Sequence, residues 1–401
     1  MKKFNKSLLS IAVISATSGF MATANADAFV DALTSGTAYG DFNLRYEGVD
    51  QDNALKDADA LTLRSRLGYN TGMFNGFSAT LEFEDSRVVA GVEDFNAAGL
   101  NDNPEYSVVA DPETTEVDQA FIQYKSDMVT VKAGRQVITY DGHRFVGHVG
   151  WRQDRQTFDG ISLVATPAKG LTVNYAYLDE RNRIFAEEAD IDSSDHLLNV
   201  SYETPIGKLV GYGYLLEDED SDAELDTWGA SLTGSTAISE GAKFLYALEF
   251  ATQETDGGST DYDADYMLIE GGVAISGITA KLGYEVLGSD DSMYGFQTPL
   301  ATLHKFNGWA DQFLSTPDQG LVDTYFSLGG SLAGGAWEIV YHDYEADEDT
   351  SSVDDLGDEL NISYVKKFGK HYTAGIKYAS YDAGDIKVDT DKLWVWVGLS
   401  F

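Results

Sequence analysis

Cysteine is absent from this chain of 401 residues, and proline occurs only six times. The lack of cysteine excludes disulfide bonds, thiolate metal sites and cysteine nucleophiles. Beyond the N-terminal segment, the chain also lacks an apolar run long enough for a membrane-spanning helix. It is rich instead in glycine (40), tyrosine (23) and phenylalanine (20), a composition typical of strands and tight turns.

Basic residues are scarce: 27 Lys and Arg stand against 66 Asp and Glu. A chain of this charge repels phosphates, which argues against nucleic acid as a partner. The abundant aromatic residues argue against a disordered acidic chain. On charge alone, a soluble salt-adapted protein stays open, and the hydrophobic pattern has to decide.

The N-terminal residues have the features of a secretory signal peptide. Three lysines, Lys2, Lys3 and Lys6, precede a mostly apolar stretch from Leu8 to Met21, and Ala24–Ala26 offers small residues for cleavage. We therefore predict a signal peptide at 1–26 and one barrel domain at 27–401. Cleavage removes three of the 27 basic residues, so the formal charge becomes 24 − 66 = −42.

Apolar and polar residues alternate with a period of two through most of the chain, whereas a helical period is hard to find. The segment 77–84 is one example, with Leu81 and Phe83 on one face and Glu82 and Glu84 on the other. Segments 61–70, 244–250, 278–286 and 372–378 follow the same pattern. Each is about ten residues long, which is the length that a tilted strand needs to cross a bilayer.

Short and long connections also alternate along the chain. The short ones have turn sequences at Asn75–Gly76, Ser126–Asp127, Pro167–Gly170, Pro205–Gly207, Ser239–Gly241, Ser276–Gly277, Gly334–Gly335 and Phe368–Lys370. The long ones are predicted at 88–116, 139–154, 181–194, 254–263, 288–320 and 346–357. This pattern predicts an all-β chain: a transmembrane antiparallel up-and-down barrel of about 18 strands (16–20), with short periplasmic turns and long extracellular loops. A soluble β-sandwich or propeller is the alternative fold.

The chain closes on an alternating run that ends with an aromatic residue: Leu393, Val395, Val397, Leu399 and Phe401. Outer-membrane barrels present such an ending to their assembly machinery. We therefore expect the barrel-assembly machinery to be a partner, reached through the strand that ends at Phe401. The other expected surroundings are outer-membrane lipid and lipopolysaccharide of a Gram-negative bacterium.

Two patches of the sequence resemble the alginate export family of outer-membrane barrels. The first comprises Gly134-Arg135-Gln136, Asp141, Arg144, Trp151, Arg155 and Phe158-Asp159-Gly160, and the second is the segment 298–311. The resemblance implies an 18-stranded barrel that carries an acidic polysaccharide through a pore lined by Arg and Lys. Alginate itself does not follow as the cargo, since this chain is more acidic than a conduit for a polyanion needs.

Strand parity predicts which charged side chains line the pore. They are Arg45, Arg64, Arg66, Glu82, Glu84, Lys132, Lys281, Glu285 and Lys377. Arg64 and Arg66 lie one strand away from Glu82 and Glu84, so basic and acidic walls could face one another and orient dipolar solutes. The alternative is that these groups only pair or are solvated within a wet lumen.

A basic cluster, Arg135, Arg144, Arg152 and Arg155, is predicted to line a constriction that attracts carboxylates. The last three lie in or beside a long loop that could fold inward. Arg135 has the parity of a lipid-facing residue, so it either pairs with Asp159 at the rim or is turned inward by a bulge.

The sequence gives separate expectations for an aromatic-rich loop and for the acidic loops. Loop 288–320 is rich in aromatic residues and is expected to pack inside the barrel, with a sugar-stacking surface as the alternative. The acidic runs 217–226 and 345–359 could bind divalent cations that bridge lipopolysaccharide phosphates. Neither has a calcium-hand spacing, so a solvated acidic surface is the preferred interpretation, with no metal and no cofactor.

The predicted function is a porin-like channel for passive diffusion of small hydrophilic solutes, with anionic sugars or uronate oligomers as candidate solutes. A non-conducting structural or adhesive barrel is the alternative. An enzyme is not expected, because the sequence has no Gly-x-Ser-x-Gly elbow and its six histidines have no metal-ligand spacing.

Overall fold

The computed structural model describes residues 26–256 and 261–401. Eighteen antiparallel strands form one sheet that closes into a barrel, because the last strand pairs with the first as well as with its predecessor. The barrel strands are β1 (Thr37–Gln51), β2 (Ala58–Asn70), β3 (Phe77–Asp94), β4 (Thr114–Lys125), β5 (Val129–Gln136), β6 (Thr157–Ala168), β7 (Leu171–Asn182), β8 (Ile191–Thr204), β9 (Gly207–Asp218), β10 (Ala223–Ser239), β11 (Ala242–Asp256), β12 (Tyr262–Ile275), β13 (Ile278–Leu287), β16 (Leu321–Leu332), β17 (Gly335–Glu345), β18 (Asp355–Phe368), β19 (Tyr372–Asp382) and β20 (Thr390–Ser400), and β14 (Ser289–Asp290) with β15 (Tyr294–Gly295) makes a hairpin within a loop.

Among the described residues, one α-helix, α1 (Ala26–Thr34), precedes the barrel, and single 3-10 turns occur at Glu187–Ala189 and Leu303–Lys305. Helix α1, which lies between the predicted cleavage site and β1, was not predicted from the sequence. The predicted signal peptide lies outside the described residues except for Ala26. Within the described part of the chain, no helix is both long and apolar enough to cross a membrane.

The predicted alternation of short turns and long loops is present in the barrel. At the β2–β3 turn, Asn75 and Gly76 both have positive φ angles, 51° and 87°, which suit Asn and Gly. The largest error concerns the loop predicted at 88–116. Strand β3 continues to Asp94 and β4 begins at Thr114, so this loop is shorter.

The two faces of the barrel wall differ as the period-two pattern predicted. On β3, Leu81 and Phe83 are 45% and 49% exposed, whereas Glu82 and Glu84 between them are 4% and 1% exposed. A soluble β-sandwich would bury the leucines and expose the carboxylates. The apolar exterior and charged interior are those of a transmembrane barrel, in which closure of the sheet leaves no unpaired strand edge.

Candidate functional site

Two loops fill much of the barrel interior, and we call them loop A (137–156, between β5 and β6) and loop B (288–320, between β13 and β16). Arg144 of loop A reaches Glu285 on β13, with 2.7 Å between Nε and Oε1. Arg152 of the same loop reaches Glu47 on β1. Since β1, β5 and β13 lie on different sides of the barrel, loop A has to cross its interior.

Aromatic side chains form the contact between the loops and the wall. Phe145 of loop A lies within 5.3 Å of the rings of Tyr212 and Tyr266, measured between ring centroids, and 6.0 Å from Phe296 of loop B. Phe313 of loop B packs against Tyr344 of the wall at 4.7 Å. Loop B is therefore packed inside the barrel, as its aromatic content predicted.

Arg152 and Arg45 form a buried charge network near β1. The guanidinium of Arg152 donates to both Glu47 oxygens at 3.0–3.1 Å and to Asp311 of loop B at 2.9 Å. Arg45 binds Asp111, which comes from the β3–β4 loop, and the Trp151 carbonyl. Burial alone would lower the pKa of Arg152, but Glu47, Asp111 and Asp311 raise it above its usual range. The network thus ties three loops to β1.

A second network lies on β2, β3 and β4. The Arg155 guanidinium binds Glu82 and Asp118, and the Arg155 backbone N–H donates to Glu84 at 3.0 Å. Glu84 also binds Arg66 on the neighbouring strand. Arg66 of β2 and Glu84 of β3 therefore pair along the same wall, and Glu82 pairs with Arg155 of loop A. These contacts favour the alternative, in which the charges pair within the lumen, over a transverse field.

Three carboxylates meet at the edge of this network. Oxygen atoms of Glu84, Glu116 and Asp154 lie within 4.8 Å of one another, which is a spacing that could hold a cation. Burial, together with hydrogen bonding and repulsion from Glu116, raises the pKa of Asp154. A proton on Asp154 or a cation bound by the three carboxylates would each relieve the repulsion among them.

Lys377 on β19 lies in a cage of three tryptophans. Its ammonium is 3.9 Å from the ring centroid of Trp309, 4.5 Å from Trp151 and 5.6 Å from Trp394. It also lies 2.8 Å from Nε2 of His304, whose Nδ1 is 2.6 Å from Asp311. Burial lowers the pKa of His304 to about 3, so the neutral ring donates to Asp311 and accepts from Lys377.

Arg135 is the last but one residue of β5, and the pairing of β6 with β7 shifts register beside it, between Asp159 and Gly160. Arg135 pairs with Asp159 on the next strand through two hydrogen bonds of 2.8 and 3.2 Å. Beside this pair, Gly134 and Gly160 face each other with φ of 119° and 158°. A Cβ at Gly134 would meet the Ala120 carbonyl oxygen at 2.2 Å, so the position requires glycine. The motifs Gly134-Arg135-Gln136 and Phe158-Asp159-Gly160 of the first patch therefore form one structural unit across β5 and β6.

An open cavity of about 470 Å³ remains along the inner wall of β5–β9. Its lining is mostly hydroxyl and amide groups, with two lysines, two carboxylates and four aliphatic residues, and includes Thr130, Lys132, Gln136, Ser162, Asn174, Asn199, Ser201, Glu203 and Lys208. Loop A contributes Tyr140 and Asp141 to this lining. Lys208 is paired with Asp141 at 2.6 Å, whereas the Lys132 ammonium lies over the Phe121 ring at 4.6 Å.

The remaining predicted pore residues lie on the inner face in varied surroundings. Lys281 is half-buried and pairs with Glu270 at 2.9 Å, and Arg64 pairs with Asp41 at 2.5 Å. Sequence reasoning missed Asp111, His304 and Asp311, which bind the predicted arginines and lysines. All three lie in loops, where no periodicity marks an inward side chain.

A family model described as alginate export matches residues 34–286 of the chain. The chain belongs to the alginate export family. Its membership confirms the predicted relationship and places it among Gram-negative outer-membrane barrels, in contact with membrane lipid. A search of curated proteins finds no match.

Solved structures share the fold of this alginate export family member. Acinetobacter baumannii OccAB4 has a TM-score of 0.71 at 16% identity, over 91% of this chain and 98% of that one. Pseudomonas aeruginosa OccK9 (OpdG) has a TM-score of 0.70 at 13% identity, over 92% and 100%. P. aeruginosa OpdK, solved with vanillate, has a TM-score of 0.69 at 14% identity, over 91% and 98%. These matches confirm the 18-stranded porin fold.

Proposed function

We propose that the protein is a channel for passive diffusion of small hydrophilic solutes across the outer membrane, with no catalytic step. The observation that carries the proposal is the open cavity on β5–β9, a polar recess inside a barrel whose outer face is apolar. Barrels of this strand number enclose an aqueous lumen unless something fills it. Here, loops A and B narrow that lumen and leave the cavity as the solute compartment.

The lining of the cavity suits small solutes with many hydroxyl groups and one negative charge, such as a uronate. Hydroxyl and amide side chains can donate to and accept from sugar hydroxyls. Lys132 supplies a positive charge whose ammonium is placed against an aromatic ring rather than a carboxylate. A small aromatic carboxylate is a second probe, because a structural neighbour was solved with vanillate.

The Lys132→Gln variant is expected to lower the anion-to-cation permeability ratio by about twofold, in line with the ~0.5 kcal/mol typical of one solvated charge interaction. Asp141→Asn should shift the ratio the other way, because Asp141 neutralises Lys208. Lys169→Gln is the matched control, since it removes the same charge from an exposed turn. Reversal potentials in a KCl gradient give the ratio. Equal shifts for Lys132→Gln and Lys169→Gln would contradict a role for the cavity.

Planar-bilayer recording of the purified barrel tests the channel itself. We expect discrete ion-conducting steps, and swelling of protein-containing liposomes in uronates and small sugars. The alternative, a non-conducting structural or adhesive barrel, is favoured by one observation: loops A and B bury much of the inner wall. That alternative predicts neither steps nor swelling, and such a result would end the channel proposal.

The proposal also includes the route by which the chain reaches the outer membrane. We expect cleavage of the signal peptide before Asp27 and insertion of the barrel domain 27–401 among lipid and lipopolysaccharide. Recognition by the barrel-assembly machinery through the last strand is supported by Phe401. Its backbone is paired with Gly40 while the residue stays 60% exposed, so the ring is accessible to a partner.

A further inference from the structure

The N-terminal helix α1 exposes its apolar side instead of burying it. Phe29, Val30 and Leu33 are 42%, 53% and 43% exposed. At 100° per residue, positions 29, 30 and 33 fall on one side of a helix, and Asp27 and Asp31 fall on the opposite side. An amphipathic helix with its apolar side outward needs a partner for that side.

Hydrogen bonds hold α1 in a fixed place against the barrel. The Tyr69 hydroxyl donates to the Leu33 carbonyl at 2.8 Å and accepts from the Gly36 N–H at 2.9 Å. The Gly72 N–H donates to the Ala32 carbonyl at 2.8 Å. The helix is therefore tied to the end of β2 and to the β2–β3 turn, at the end of the barrel that carries the short turns.

The apolar side of α1 is continuous with the outer surface of the barrel wall. The Phe29 ring contacts Phe74 edge-on at 5.7 Å, and Phe74 pairs through its backbone with Phe77, the first residue of β3. Phe77 in turn lies 5.0 Å from Tyr124. Beyond it on the same face of β3 lie Leu81 and Phe83, which are the exposed apolar residues of the membrane-facing belt. An aromatic row thus joins the helix to that belt.

We infer that α1 lies in the lipid interface of the periplasmic leaflet, with Phe29, Val30 and Leu33 in contact with phospholipid. Interfacial helices bury their apolar side at the boundary between headgroups and acyl chains, and aromatic residues are enriched at that depth. The charged side of most such helices is basic, whereas here it carries Asp27 and Asp31. The contact is therefore apolar, and it does not require anionic lipid or low salt.

Site-directed spin labelling tests the inference, because the native chain has no cysteine and one substitution gives one label. Full-length barrels with Val30→Cys or Leu33→Cys are labelled and reconstituted in phosphatidylethanolamine–phosphatidylcholine vesicles. Oxygen collects in lipid and a nickel chelate stays in water, so their collision rates with the label report its surroundings. Asp31→Cys is the matched control on the opposite side of the helix, and heat-modifiable gel mobility verifies that each variant is folded.

Labels at 30 and 33 are expected to collide more often with oxygen than with the nickel chelate, as a reference label at Leu81→Cys does. The label at 31 should show the reverse, like a reference at Asp220→Cys in an exposed turn. The pattern should persist in 1 M salt, at which charge interactions are largely screened. Greater nickel access at 30 and 33 would overturn the inference. Access to neither reagent would also overturn it, since protein would then cover the helix.

Discussion

Shortening loop A is expected to raise the single-channel conductance roughly several-fold, because an unfilled barrel of this size encloses a wide aqueous channel. The change replaces residues 139–154 by a short glycine-serine turn between β5 and β6. It removes the arginines that cross the interior to Glu285 and Glu47. Those carboxylates remain, but water entering the opened lumen solvates them, so their charge costs little stability.

A replacement of the exposed turn 219–222 by glycine and serine is the control for the effect of loop replacement itself, since that turn lies at the same end of the barrel. It should leave conductance unchanged. Heat-modifiable gel mobility shows whether both barrels fold. An unchanged conductance in a folded loop A variant would mean that loop A does not restrict the pathway.

Arg152→Met is expected to undock loop A without removing it. The substitution keeps most of the apolar stem but leaves Glu47 with only the more distant Arg45, whose Nη2 lies at 3.6 Å. Breaking a buried ion pair by removal of one partner typically costs roughly 3–5 kcal/mol. That cost is enough to shift a docked loop towards an open state by about two to four orders of magnitude, at tenfold per ~1.4 kcal/mol.

Limited proteolysis and current noise measure the undocking. Arg152→Met should show faster cleavage within 137–156 and larger fluctuations of the open-channel current. The control is Arg87→Met, which removes a guanidinium from the second half of β3. The Arg87 side chain is 46% exposed. If cleavage of loop A is equally slow in both variants, the Arg152 network does not hold the loop.

The fold could be predicted from the sequence because the bilayer imposes a simple rule on every strand. One face of β3 has to be apolar and the other need not be, and this alternation survives in 77–84 without any tertiary information. The turn could also be predicted from its own residues, because Asn75 and Gly76 adopt the positive φ angles that their residue types allow. The number of strands was predicted by counting the alternating segments and the turns between them.

The interior could be predicted only in part. Parity placed Arg45, Glu82 and Glu285 on the inner face, but their partners Trp151, Arg155 and Arg144 come from a loop whose path depends on contacts across the barrel. No period in the sequence encodes such contacts. Helix α1 was missed for a related reason, since nine residues are too few for a helical period to stand out.

Cysteine modification on β13 tests the central claim most directly, because adjacent residues should face different media. Lys281 is half-buried on the inner face, and Leu282 is 60% exposed on the outer face. In bilayers, a charged methanethiosulfonate reagent should react with Lys281→Cys and change the current, since a thiol must ionise in water to react. Leu282→Cys should stay unmodified with its current unchanged. Reaction at Leu282→Cys together with an inert Lys281→Cys would contradict the account.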